Sequence, residues 1–147
     1  MKSHLAILIV NEKVAEQDAI GAAFSFLGYK NPLVYASGTE TCLRFLDEVS
    51  SNGARREPLP GLILLDLELG KDCGLLLLET LKKHPMYCQI PAVVLSTPKC
   101  PLDISKAYEL GCGGFFQKPV DADGYKKIVE IIYQFWLGTF GIASSAE

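Results

Sequence analysis

The stretch Leu62-Ile63-Leu64-Leu65-Asp66 decides how this chain is read. Four apolar residues follow one another without the alternation of a half-exposed strand. That pattern describes a strand covered on both faces, as in a parallel sheet lying between helices. The run closes on a carboxylate, and desolvating a carboxylate beside a buried strand is costly unless something holds it there.

Three other runs repeat the design. Leu5 to Val10 is followed by Asn11-Glu12, Pro91 to Leu95 by Ser96-Thr97, and Gly113 to Gln117 by Lys118-Pro119. Between the runs lie helical patterns. Ile20, Ala23, Phe24 and Leu27 share a face of a segment from Val14 to Leu27, with Gly28 where a helix end favours glycine. Leu33-Val34-Tyr35-Ala36 reads as a strand near the sheet edge because Pro32 opens it. Ser37 with Glu40 suggests a capping box for a helix carrying Cys42, Phe45, Leu46 and Val49. Ser51 to Pro60 reads as a surface connection, Leu67 to Cys73 as a loop, and Gly74 to Lys83 as a third helix. Asp103 reads as the cap of a fourth helix ending at Gly111, and Asp121 as the cap of a last one. Ile128, Ile131, Ile132 and Phe135 are expected on its core face. Tyr125, Val129, Tyr133 and Trp136 are expected to form a second apolar face for a dimer or partner. Residues 1–140 then make one domain and 141–147 a tail.

Five strand–helix units with right-handed crossovers predict an α/β, flavodoxin-like three-layer sandwich, its five-stranded parallel sheet ordered 2-1-3-4-5. Ligands of such sheets gather at the carboxyl ends of the strands. Asn11, Glu12, Asp66, Ser96 and Lys118 all fall there. Singly each is explained by a cap, a turn or a solvated charge; together they suit one task. Glu12, Asp66 and the Glu68 backbone carbonyl are hard oxygen donors for Mg²⁺. Asp66 is a nucleophile able to take a phosphoryl group, and Ser96 and Lys118 can bind the remaining phosphoryl oxygens.

The 147 residues carry a net charge of −3, which argues against nucleic acid as a partner. The five cysteines form no C-x-x-C pair, so neither a disulfide framework nor a zinc site is expected. No run is long enough to span a membrane, and a cytoplasmic setting is expected.

From Leu5 to about Leu137 the chain resembles the receiver domain of two-component response regulators, on Ile7 to Glu12, Leu62 to Asp66, Cys73-Gly74, Pro91 to Thr97, Tyr108 to Gly111 and Lys118-Pro119. The ending Phe135-Trp136-Leu137 resembles the phytochrome-associated, single-domain members. The resemblance implies that Asp66 is the phosphoacceptor in a histidine-to-aspartate phosphorelay. Its partners would be a sensor histidine kinase or phosphotransfer protein and a downstream protein, with a possible homodimer through the fourth and fifth helices. It further implies a Thr97 backbone contact to the phosphoryl group, a switch pair of Ser96 and Phe115, a cis peptide before Pro119, and no enzymatic turnover beyond self-phosphorylation and dephosphorylation. The usual pair of acids after the first strand is here Asn11-Glu12. With Asn11 reduced to an outer-shell role, weak Mg²⁺ binding is expected. Thr97 is expected to hinder water and prolong the phosphorylated state. Three alternatives stand beside this reading. One is a pseudo-receiver that only binds proteins. A second is an aspartate-nucleophile phosphohydrolase, for which Glu68 is a loose general acid. The third, a flavin-binding protein, lacks a phosphate cradle.

Overall fold

The computed structural model describes residues 5–50, 58–70, 72–98 and 101–138. Five strands, β1 (Ile7–Val10), β2 (Leu33–Ala36), β3 (Leu62–Leu65), β4 (Ala92–Ser96) and β5 (Gly114–Gln117), alternate with five helices. These are α1 (Val14–Phe26), α2 (Thr39–Ser50), α3 (Gly74–Lys83), α4 (Pro101–Glu109) and α5 (Ala122–Ile132). All sheet pairings are parallel and the order is 2-1-3-4-5, as the sequence predicts.

Both faces of the sheet are buried, which accounts for the unbroken apolar runs. Leu8, Val10, Ile63, Leu65 and Val94 point to one side, against Cys42 and Leu46 of α2 and Leu77, Leu78 and Leu81 of α3. Ile7, Ile9, Leu62, Leu64 and Leu95 alternate to the other side, against Ile20 and Phe24 of α1 and Val129 and Ile132 of α5. Val10 is level with Leu65, Leu65 with Val94, and Ser96 with Gln117. This register brings Asn11, Asp66, Ser96 and Lys118 to one rim.

The segment after β3 is more ordered than a loop. Glu68–Leu69 pairs antiparallel with Asp72–Cys73, and Gly70 turns between them at φ +65°, a backbone region that glycine enters without penalty. Gly74 answers a different need. A Cβ there would lie 2.5 Å from the Leu67 Cα and 2.7 Å from the Asp66 carbonyl oxygen, so no side chain fits. At the start of α2, the Thr41 hydroxyl takes the Gly38 N–H at 3.0 Å and donates to the Gly38 carbonyl. The fourth helix begins at Pro101, with Asp103 inside its first turn rather than capping it. Proline suits a first helical position because its missing N–H has no partner to lose. Asp121 does cap α5, accepting from the Gly124 N–H at 2.9 Å.

The last helix corrects the expected second apolar face. Tyr125, Val129 and Ile132 are buried in the core, whereas Ile131 and Phe135 are exposed at 51% and 64%. Two helical stripes overlap in this sequence, and packing against α1 selects the one led by Tyr125. Beyond Ile132 the chain widens into a π turn over Tyr133–Leu137, which shifts the phase that uniform helical spacing predicts. Tyr133 stacks on Tyr29 with centroids 3.6 Å apart. Trp136 covers Gly113 and Gly114, where a Cβ would meet its ring at 3.3 and 2.9 Å. Tyr125, Val129, Tyr133 and Trp136 thus have intramolecular partners and do not form a free docking face. The expected tail, residues 141–147, lies outside the described residues, as do 51–57 of the α2–β3 connection.

Candidate functional site

At the carboxyl rim of the sheet Asp66 is 1% exposed and its carboxylate is fully engaged. Oδ1 accepts from the Ser96 hydroxyl at 2.9 Å and from the Glu68 N–H at 3.0 Å. Oδ2 accepts from the Lys118 ammonium at 2.7 Å. The Ser96 hydroxyl in turn accepts the Leu67 N–H at 3.2 Å. Each contact has a local cause. Asp66 follows the last residue of β3, so its amide still bonds to Val10 at 3.0 Å. Lys118 follows β5, and its amide bonds to the Ser96 carbonyl at 3.1 Å.

Lys118 is the cation of the site. Burial alone would lower its pKa, but the hydrogen bonds and charges of Asp66 and Glu16 outweigh burial and raise it. The second carboxylate of that pair, Glu16, was not predicted from sequence. Its Oε1 lies 2.8 Å from Lys118 Nζ and accepts from Asn11 Nδ2 at 3.0 Å. Burial would raise the Glu16 pKa; Lys118 and Asn11 together bring it below the usual value. A polar residue one turn into a helix gives no sequence signal for this role, since α1 places it only after the β1–α1 turn is known.

Asn11 is 3% exposed, and its side-chain amide donates to Glu16. Its amide oxygen takes the Lys13 N–H at 2.8 Å, and its carbonyl takes the Gln17 amide at 2.7 Å. The side chain therefore brackets the start of α1. Glu12 is exposed at the mouth, beside Gly70, where a Cβ would stand 2.9 Å from Glu12 Oε1. With Lys13, Glu68, Cys73 and Thr97 it lines an open cleft next to Asp66. Thr97 is exposed there, and the Glu68 side chain lies 3.9 Å from Lys13 Nζ.

Phe115 is half-buried against the core cluster of the α3 side, and its N–H donates to the Tyr108 hydroxyl at 3.1 Å. The Lys118–Pro119 peptide is trans, since no cis bond occurs among the described residues. This overturns the expected cis linkage and agrees with the intrinsic preference of X–Pro bonds. Lys118 reaches Asp66 without it.

Among the described residues no three His, Cys, Asp or Glu side chains cluster to hold a metal. The cleft beside Asp66 is lined by Glu12, Glu68 and Asp103, which offer oxygen donors only. That set fits Mg²⁺, which binds oxygen, uses one or two carboxylates and keeps several waters.

Comparison with known proteins fixes the family. The response regulator receiver domain model matches residues 7–130. The chain belongs to the response regulator receiver family. It is 32% identical over 132 residues to the probable methanogenesis regulatory protein FilR2 of Methanothrix harundinacea, covering 90% of this chain and 83% of that one. It is 29% identical over 133 residues to the response regulator Rcp1 of Synechocystis, covering 90% and 89%. Among solved structures, the phosphorylated cyanobacterial phytochrome response regulator RcpA superposes with a TM-score of 0.81 at 30% identity, covering 96% of this chain and 99% of that one. The Mn²⁺-bound form of Rcp1 gives 0.80 at 28% identity, covering 95% and 99%. The receiver is thus a signalling domain of the two-component type, similar to phytochrome response regulators. Among its described residues no helix is long and apolar enough to cross a membrane.

Proposed function

We propose that this receiver is a phosphoacceptor switch in a histidine-to-aspartate phosphorelay, with Asp66 as the phosphorylated residue. The observation that carries the reading is the meeting of Asp66 with Ser96 and Lys118 at 2.9 and 2.7 Å, from three strand ends. A carboxylate oxygen of Asp66 attacks the phosphorus of a phosphohistidine on the kinase or phosphotransfer protein. The new P–O bond forms as the P–N bond breaks, and the imidazole leaves with the electron pair. Lys118 and the Ser96 hydroxyl already touch the carboxylate and are placed to turn to the phosphoryl oxygens, with the Thr97 backbone beside them. Glu12, Asp66 and the Glu68 carbonyl would hold Mg²⁺, which would neutralise the converging negative charge. Its affinity is expected to be weak, because Glu12 is the one acid in the pair after β1. That the relative Rcp1 has a Mn²⁺-bound form supports divalent-cation binding by this receiver.

Ser96 and Phe115 form the switch, and the bias they set is read by a downstream protein at α4, β5 and α5. Leu102, Tyr108 and Ile131 are exposed on these elements. The engaged state of Asn11 favours one second reading, a pseudo-receiver that binds partners without being phosphorylated. Incubation with acetyl phosphate and Mg²⁺, followed by intact-mass measurement, separates the two. A single phosphoryl adduct absent from Asp66→Asn supports the switch. No adduct at saturating Mg²⁺ overturns it in favour of the pseudo-receiver.

A further inference from the structure

We infer that Glu16 is a positioning residue that anchors Lys118 beside Asp66, carrying from α1 the negative charge that Asn11 does not provide after β1. The consequence for phosphorylation rests on the proposed function; the anchoring itself rests on geometry alone.

The Asn11–Glu16–Lys118–Asp66 chain is continuous, with contacts of 3.0, 2.8 and 2.7 Å. One oxygen, Glu16 Oε1, meets both Asn11 Nδ2 and Lys118 Nζ. Asparagine suits position 11 because its amide is an N–H donor aimed at that oxygen. An aspartate there would face Glu16 as a like charge at hydrogen-bond distance, and an alanine would leave Glu16 held by Lys118 without its second donor. The rest of Asn11 is fastened by Lys13 N and Gln17 Nε2, so its orientation is fixed by the turn into α1.

The Lys118 side chain is 8% exposed, Asp66 1% and Glu16 23%. A buried ammonium needs close anionic partners. Were Asp66 the single one, Lys118 would lose its anchor whenever that oxygen was turned to phosphorus. Glu16 keeps the ammonium in place throughout, within reach of both the ground-state carboxylate and an arriving phosphoryl group. Glu12 differs in every respect. It is exposed, lies at the mouth against Gly70, and belongs to the cation side of the site. Glu12 and Glu16 are therefore divided between two tasks: Glu12 for the metal, Glu16 for the lysine.

The test uses the full chain with ¹⁵N-labelled lysine. In metal-free wild type the Lys118 ammonium is expected to give a resolved Nζ–Hζ NMR correlation, because its protons are held by two carboxylates and shielded from water. Glu16→Ala and the isosteric Glu16→Gln should both lose that correlation. Both should slow phosphorylation by acetyl phosphate about tenfold or more at saturating Mg²⁺, with the half-saturating Mg²⁺ concentration changed less than about twofold. Glu12→Gln should do the reverse, keeping the Lys118 correlation and raising half-saturating Mg²⁺ about tenfold. Persistence of the correlation in Glu16→Ala overturns the inference. So does a Glu16→Gln protein that reaches the wild-type rate once more Mg²⁺ is added, which would put Glu16 on the metal side. If wild type takes no phosphoryl group, the phosphoacceptor reading fails by itself, and the ammonium correlation still decides the anchor.

Discussion

The two ends of the sheet each hold a carboxylate against a hydroxyl, and they do opposite things with it. At the carboxyl end Asp66 meets Ser96, with Lys118 on its other oxygen and an open cleft alongside. At the amino end, where α2 finishes and the chain approaches β4, Asp47 meets the Tyr87 hydroxyl, which also contacts Ser50 at 3.1 Å. His84 stacks on Tyr87 with centroids 3.7 Å apart, and its Nδ1 accepts the N–H groups of Met86 and Tyr87. The lower cluster ties α2 to the α3–β4 connection with hydroxyl and backbone donors. The upper cluster has a cation and a second acid, and its Asp66 is buried, whereas Asp47 is exposed. A carboxylate–hydroxyl contact alone thus does not set the two ends apart; the added lysine and second acid do.

The largest way to break this contrast is at the carboxylates. Asp66→Asn should abolish phosphoryl uptake from acetyl phosphate by intact mass, while Asp47→Asn leaves it at the wild-type level; equal loss in both would erase the distinction. Gly74→Ala comes next, since its new methyl must displace the backbone of Leu67 and Asp66. A stability loss of about 3 kcal/mol, near 10 °C in melting temperature, is expected by calorimetry, together with slower phosphorylation because Asp66 itself shifts. Tyr87→Phe removes the lower hydroxyl and should cost about 1 kcal/mol, or a few degrees in the melt, without altering the phosphorylation rate. The smallest effect concerns thiols. Burial pushes Cys42 up to about 12, so near neutral pH it has almost no thiolate, and raising the pH to 9 adds little. Maleimide labelling with peptide mapping at pH 7 to 9 should modify Cys73 and Cys88, which are exposed, and spare Cys42.

Much of this was legible in the sequence, for physical reasons. Continuous runs such as Leu62 to Leu65 can only be strands buried on both faces, and a carboxylate, hydroxyl and lysine just past three such runs must share a rim once the strands are parallel. Spacing was a weaker guide where two stripes overlap. In α5 the aliphatic series Ile128, Ile131, Ile132 and Phe135 competes with Tyr125, Val129 and Ile132, and the choice is made by tertiary packing. The π turn then moves Trp136 inward, onto two glycines whose smallness was readable but whose partner was not. Glu16 was invisible because its role depends on a turn geometry fixed by Asn11, not on distance along the chain. Asn11 removes an acid after β1, and only the structure shows that its amide bonds to another, Glu16.

Tyr108 has a consequence for the edge of the sheet. The strand Gly114–Gln117 lies at the border of the sheet, and an open border offers backbone donors to which a foreign strand can add. By accepting the Phe115 N–H, a half-exposed tyrosine from the neighbouring helix seals that border at its middle. One hydroxyl placed against the Phe115 N–H thus works against the sheet growing into further copies of itself.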